Sequence, residues 1–294
     1  MTVKETDELS GTETTGHEWD GIKELNSPLP RWWLWTFYAT VVFAIGYSLY
    51  YPAIPLIKGA TAGISGYSSR AEVAKDIAMA AEAQSGIIER TRNSTIDQIA
   101  TDDELRRFAV SAGKSAFKVY CVQCHGSGAQ GAPGYPNLND DEWIWGGDLE
   151  TIHISISHGI RNDQDDDARL SEMPAFGVDE LLERSEIAAA ANYVLKLSGQ
   201  EHDAALLGEG ETVFADNCAA CHGEAGKGDR EQGAPDLTDA IWLYGSTPEL
   251  ILAQINRPKH GVMPPWLGRL GDVTVKQLAV YVHGLGGGED SEPE

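Results

Sequence analysis

Cys121-Val122-Gln123-Cys124-His125 and Cys218-Ala219-Ala220-Cys221-His222 are two complete C-x-x-C-H boxes, and together they use all four cysteines of the chain. This spacing is the attachment signature of a c-type haem. Two thiols add to the two vinyl groups of one porphyrin while the adjacent imidazole reaches its iron from the proximal face. A zinc knuckle or a redox dithiol also uses C-x-x-C, but neither calls for a histidine directly after the pair, twice over. The boxes predict two covalently bound haem c groups, held by Cys121 and Cys124 and by Cys218 and Cys221, with His125 and His222 as axial ligands.

The boxes lie 97 residues apart, and their flanks repeat at nearly that interval. Gly113 and Phe117 match Gly210 and Phe214; Pro136-Asn137-Leu138 matches Pro235-Asp236-Leu237, Trp143 matches Trp242, His158-Gly159-Ile160 matches His260-Gly261-Val262, and Met173-Pro174 matches Met263-Pro264. Each unit is one duplicated domain. The order of helix with Gly-x-x-x-Phe, haem box, Pro-x-Leu, Met-Pro and closing helix resembles the class I cytochrome c fold. The expected fold class is therefore all-α, with domain 1 at residues 102–200 and domain 2 at 201–288 in tandem. In the first, Leu105, Phe108, Ala112, Ala116 and Val119 recur at helical spacing to face a closing helix carrying Tyr193 and Leu197. In the second, Gly210 and Phe214 are expected against Tyr281.

The resemblance supplies further expectations for each iron. Met173 and Met263 match the loop ligand of class I cytochromes, and the carbonyls of Pro136 and Pro235 match the acceptor that orients the ligating imidazole. His158 and His260 stand as rival sixth ligands, giving bis-histidine iron of lower potential. Met79 precedes both boxes and is excluded. Trp143 and Trp242 offer indole donors toward haem propionates or simple core packing.

With 22 basic against 45 acidic residues the net charge is −23, which argues against nucleic acid and favours basic partners. Residues 1–31 are polar and are expected to be extended or ordered by a partner. No charge occurs between Arg31 and Lys58. The apolar run from Trp32 to Tyr51 spans about 30 Å as a helix, at roughly 1.5 Å per residue, which is the thickness of a bilayer core. Tryptophans cluster at one end, tyrosines at the other, and Pro52 and Pro55 follow. Residues 32–57 read as a transmembrane anchor, 58–101 as a helical spacer with a helix over Ala71–Arg90, and 289–294 as an acidic tail, disordered together with Gly286–Gly288. Thr101-Asp102-Asp103-Glu104 reads as a capping box opening domain 1. A cleaved signal peptide ending near Ala62 is the alternative for the apolar run.

The stretch from His17-Glu18-Trp19-Asp20-Gly21 through Pro28-Leu29-Pro30-Arg31-Trp32-Trp33-Leu34-Trp35 resembles the start of the dihaem P subunit (subunit III) of cbb3-type cytochrome c oxidases, and the anchor with two haem domains completes that pattern. Some members of that family carry two transmembrane helices where this sequence has one; with that single span, the resemblance implies a single-pass protein of the bacterial inner membrane, N-terminus cytoplasmic and haem domains periplasmic. It implies electron transfer from a soluble donor cytochrome c to a monohaem subunit, and on to the haem–copper subunit of a proton-translocating oxidase. No side chain here is expected to perform acid, base or nucleophilic catalysis. Asp163, Asp165, Asp166 and Asp167 form a solvated loop or a docking patch for a basic donor; they lack the Gly and terminal Glu of an EF-hand. A dihaem acceptor subunit of a periplasmic dehydrogenase and a dihaem peroxidase are the alternative functions.

Overall fold

The uncharged apolar run folds into α1 (Arg31–Tyr50), 20 residues long, with Pro30 before its first turn and none of its side chains buried. The computed structural model describes residues 4–290 and separates the chain into two compact units, residues 1–83 and 84–294. In the first unit, β1 (Thr14–Trp19) and β2 (Ile22–Leu25) precede α1 as an antiparallel hairpin. Asp20 and Gly21 both have positive φ, +49° and +83°, at its two-residue turn. That is the Asp-Gly hairpin signal, and it gives residues 14–25 local order that polar composition concealed. After α1, β3 (Pro55–Leu56) and β4 (Gly59–Ala60) form a minimal hairpin. Then α2 (Ser69–Asn93) runs two or three residues beyond the expected helix at each end.

The second unit is helical. The capping box lies earlier than expected: Thr95 and Gln98 cap α3 (Ile96–Thr101) reciprocally. Asp102 alone caps α4 (Asp103–Tyr120), accepting from the amides of Glu104 and Leu105 at 2.9 and 3.0 Å. There follow α5 (Val122–His125), α6 (Leu149–His158), α7 (Arg184–Leu197), a 3₁₀ turn (Ala204–Leu206), α8 (Leu207–Asn217), α9 (Ala219–His222), α10 (Pro248–Asn256), α11 (Leu267–Leu270) and α12 (Asp272–His283). The buried face of α4 is Leu105, Ala109, Gly113 and Phe117, and Val119 is exposed.

Two hydrophobic cores form, and they do not follow the tandem division at 200/201. One core joins Leu105 and Phe117 of α4 and Ile152 and Ile156 of α6 to Val275, Leu278, Val280 and Val282 of α12. The other joins Ile187, Tyr193 and Val194 of α7 to Val213 and Phe214 of α8 and Ile251 and Ile255 of α10. The opening helix of repeat 1 thus packs on the closing helix of repeat 2. Phe117 meets Tyr281 at 5.5 Å and Phe214 meets Tyr193 at 5.2 Å between ring centroids, the reverse of the expected pairing. Both crossings depend on glycine: a Cβ on Gly113 would overlap the Gln277 carbonyl, and one on Gly210 the Ala189 carbonyl.

Lobe 1 therefore keeps the class I order, interrupted by a long insertion. Lobe 2 is that insertion and carries the order circularly permuted, closing helix first. The chain crosses between lobes at Ile160 and Met263, whose backbones exchange hydrogen bonds of 3.0 and 2.9 Å. Gly286–Asp290 is folded back on lobe 1 rather than disordered; residues 291–294 lie outside the described residues. Trp143 Nε1 donates to the Gly287 carbonyl at 2.6 Å, and Glu289 accepts from the Gly147 amide at 2.7 Å and from both Arg230 terminal nitrogens at 2.8 and 2.7 Å.

Candidate haem sites

Each C-x-x-C-H box is a tight turn at the end of an opening helix. The Cys121 amide donates to Phe117 O at 2.9 Å and the His125 amide to Cys121 O at 2.9 Å; Cys218 and His222 repeat this at 2.8 and 2.9 Å. His125 Nδ1 lies 3.1 Å from Pro136 O, and His222 Nδ1 lies 3.0 Å from Pro235 O. A proline carbonyl only accepts, so both Nδ1 atoms carry the proton and both Nε2 lone pairs are left for a metal. Burial holds both imidazoles below the ordinary histidine range, despite the carbonyl acting in the opposite direction. This is the neutral, oriented tautomer that haem iron requires.

The thiols test the dithiol alternative. Burial, with the neighbouring Cys adding to it, pushes Cys121 and Cys218 up to about 11, where a redox pair requires a thiolate near neutral pH. No cysteine is in a disulfide. The donor set and its orientation fit covalent haem.

Each Met-Pro methionine packs against the core beside the other repeat's box. Met263 packs in the core that contains Cys121, and Met173 in the core that contains Cys218. Met79 is exposed on α2. His158 Nδ1 is taken by Asp165, 3.1 Å away, and Asp167 lies 4.0 Å off. Of the acidic loop, Asp165 and Asp167 thus lie beside His158, while Asp163 and Asp166 stay exposed. Trp143 and Trp242 both spend their indole donors on backbone carbonyls, of Gly287 and Asp239.

The chain resembles known families over these sites and its N-terminal region. Residues 11–58 match the family model described as the N-terminal domain of cytochrome oxidase-cbb3, FixP; residues 110–198 match cytochrome c, and residues 205–282 match cytochrome c oxidase, cbb3-type, subunit III. The chain is 56% identical to the cbb3-type cytochrome c oxidase subunit CcoP of Cereibacter sphaeroides, over 98% of this chain and 100% of that protein. The chain belongs to the CcoP/FixP family. It is 55% identical to the FixP subunit of Rhizobium meliloti, over 97% of this chain and 98% of that one, and 49% identical to FixP of Bradyrhizobium diazoefficiens, over 97% and 98%. As a CcoP/FixP subunit it is a cytochrome c component of a cbb3 oxidase, its cytochrome c domains implying haem c, with α1 as one candidate apolar span near the N-terminus.

Sequence reasoning missed the acidic contact joining the two lobes of this CcoP/FixP chain. Burial, together with Asp239, Asp236 and Asp141, raises Glu142 to about 7, and Glu142 shares a hydrogen bond with Asp239 across the repeats. Because the folded pKa lies above the unfolded one, the folded state binds the extra proton. Stability contributed by this pair is present below about pH 4.5 and is lost as pH rises toward about 7. Chemical denaturation across that range should show the decline, and Glu142→Gln should flatten it; an unchanged slope in the variant would refute the pair's role.

Proposed function

We propose that this chain is the membrane-anchored dihaem electron carrier of its oxidase, taking electrons from a soluble donor cytochrome c and delivering them through the monohaem subunit to the haem–copper subunit. The observation that carries the reading is the pair of C-x-x-C-H turns whose histidines are locked to Pro136 and Pro235, in a chain colinear with oxidase subunits. Cys121, Cys124, Cys218 and Cys221 would attach two haem c groups covalently. Haem supplies one-electron chemistry at its iron when bound. His125 and Met263 would hold one haem iron, and His222 and Met173 the other; the shared cores support this crossed assignment. A haem held in this way would be closed to peroxide and oxygen, which disfavours the peroxidase alternative.

The exposed α1, with Trp32 70% and Trp35 72% accessible at one end and Tyr47 and Tyr50 exposed at the other, suits an anchor in the inner membrane. The N-terminus would face the cytoplasm and the haem lobes the periplasm. Isolation of the complex in mild detergent tests the reading. The expected result is this chain, unprocessed and bearing two covalent haems, together with a haem–copper subunit and a monohaem cytochrome. Recovery with a dehydrogenase, or as a soluble species beginning near Gly63, would overturn it.

A further inference from the structure

Arg161 and Arg169 lie in the segment joining α6 to Met173, where the repeats differ in length, because repeat 2 passes from Val262 directly to Met263. Both are half-buried. Among the described residues neither has a carboxylate within ion-pair distance, whereas Arg90, Arg92, Arg106 and Arg230 each have at least one. In a chain with 45 acidic residues, an unpaired half-buried guanidinium needs an explanation. Their donors reach only backbone carbonyls: Arg161 Nε to Gly261 at 2.8 Å and a terminal nitrogen to Ser171 at 3.0 Å, and Arg169 to Trp145 at 3.1 Å. A guanidinium has five N–H donors. Most remain to be used. Burial lowers the pKa of both, with Tyr244 and Glu172 opposing it at Arg161 and Asp148 at Arg169.

Their surroundings belong to the loops that hold the haem histidines. The Arg169 guanidinium lies 5.0 Å over the Trp145 ring, and that ring occupies the space a Cβ on Gly233 would need. Beside Arg161, the Tyr244 ring lies 3.4 Å from where a Cβ on Gly134 would stand. Gly134 and Gly233 each come two residues before the proline whose carbonyl orients an imidazole. Two aromatic rings, at equivalent places in the repeats, thus cross to the opposite repeat's histidine-holding loop, and a cation accompanies each. Arg161 also adopts φ +50°, a region that non-glycine residues seldom occupy without a structural reason.

Each haem brings two carboxylates that must leave an apolar pocket and find charge-assisted donors. We propose that Arg161 and Arg169 are counter-ions for haem propionates at the crossing of the two repeats, and that they hold up the reduction potential there. This rests on the dihaem reading above. The guanidinium charge opposes the extra positive charge of ferric iron, and keeps the propionates ionised.

The test is a spectroelectrochemical titration of the c-type haems in the full complex, across neutral pH, with Arg161→Gln, Arg169→Gln and the two Lys variants. In each Gln variant the midpoint potential of at least one haem should fall and become more dependent on pH, as the unpaired propionate takes up a proton. The Lys variants keep the charge without the fork and should recover most of the potential. Gln variants with wild-type potentials and pH profiles would overturn the proposal and leave the arginines as braces for carbonyls. Should a Gln variant lose haem, the corresponding His variant decides, because its charge is lost as pH rises through about 6.5: a potential that falls with pH more steeply than in the wild type supports the pairing, and a wild-type profile refutes it. Absence of covalent haem from the wild-type chain would instead defeat the dihaem reading itself.

Discussion

Met263→Ala is expected to open the iron held by His125, and Met173→Ala the iron held by His222, the reverse of their order along the chain. The two cores carry this expectation, since Met263 packs with Cys121 and α4 while Met173 packs with Cys218 and Phe176. Loss of the thioether removes a ligand that favours reduced iron, so the affected haem should fall in potential and gain carbon monoxide binding. A background lacking the second box (Cys218→Ala with Cys221→Ala) makes the outcome specific. There the weak Fe–S absorption at the red end of the oxidised spectrum should vanish with Met263→Ala and persist with Met173→Ala. The opposite result would restore the contiguous pairing, and survival of the band in both would point to another ligand, with His260 first to be tested.

The chemistry was legible because it is local. Two thiols and a histidine in five residues, and a proline 11 or 13 residues on, leave few geometries open, and the imidazole-to-carbonyl bonds stand at 3.1 and 3.0 Å as the class I resemblance implies. The apolar span was legible for the same reason. The exchange of closing helices was not, because duplication hides it. Tyr193 and Tyr281 occupy equivalent places, as do Gly113 and Gly210, so the same knobs fit the same holes whichever repeat supplies the partner. One signal pointed the right way: α7 ends at Leu197 and α8 begins at Leu207, a connection short enough to make sequential helices neighbours. The folded tail was missed because Gly286–Gly288 reads as a flexible run. What holds it is distant in sequence: the Trp143 indole, the Gly147 amide and Arg230.

The exchange makes a second, larger prediction about what folds alone. A fragment of residues 84–200 contains α4, the first box, α6 and α7, a complete class I set by sequence. In the folded protein, however, α4 and α6 pack on α12, and the fragment lacks Val275, Leu278, Val280 and Val282, all at most 5% exposed, as well as Met263. Burying each such side chain contributes about 1.5–3 kcal/mol. Their combined loss is comparable with the whole net stability of a domain, about 5–15 kcal/mol. Tyr193 could occupy the place of Tyr281 only if α7 turned back on α4, whereas in the folded protein it packs on α8. The fragment is therefore expected to be unfolded or molten, with high-spin or mixed-spin haem. Residues 159–262, which carry Met173, α7, α8, the second box and α10, should fold as a cooperative low-spin monohaem cytochrome. Thermal melts followed by far-UV circular dichroism and Soret absorption on both fragments decide the matter. A cooperative, low-spin fragment 84–200 beside a molten fragment 159–262 would show that the repeats fold as contiguous domains and that the crossing is not needed for either core.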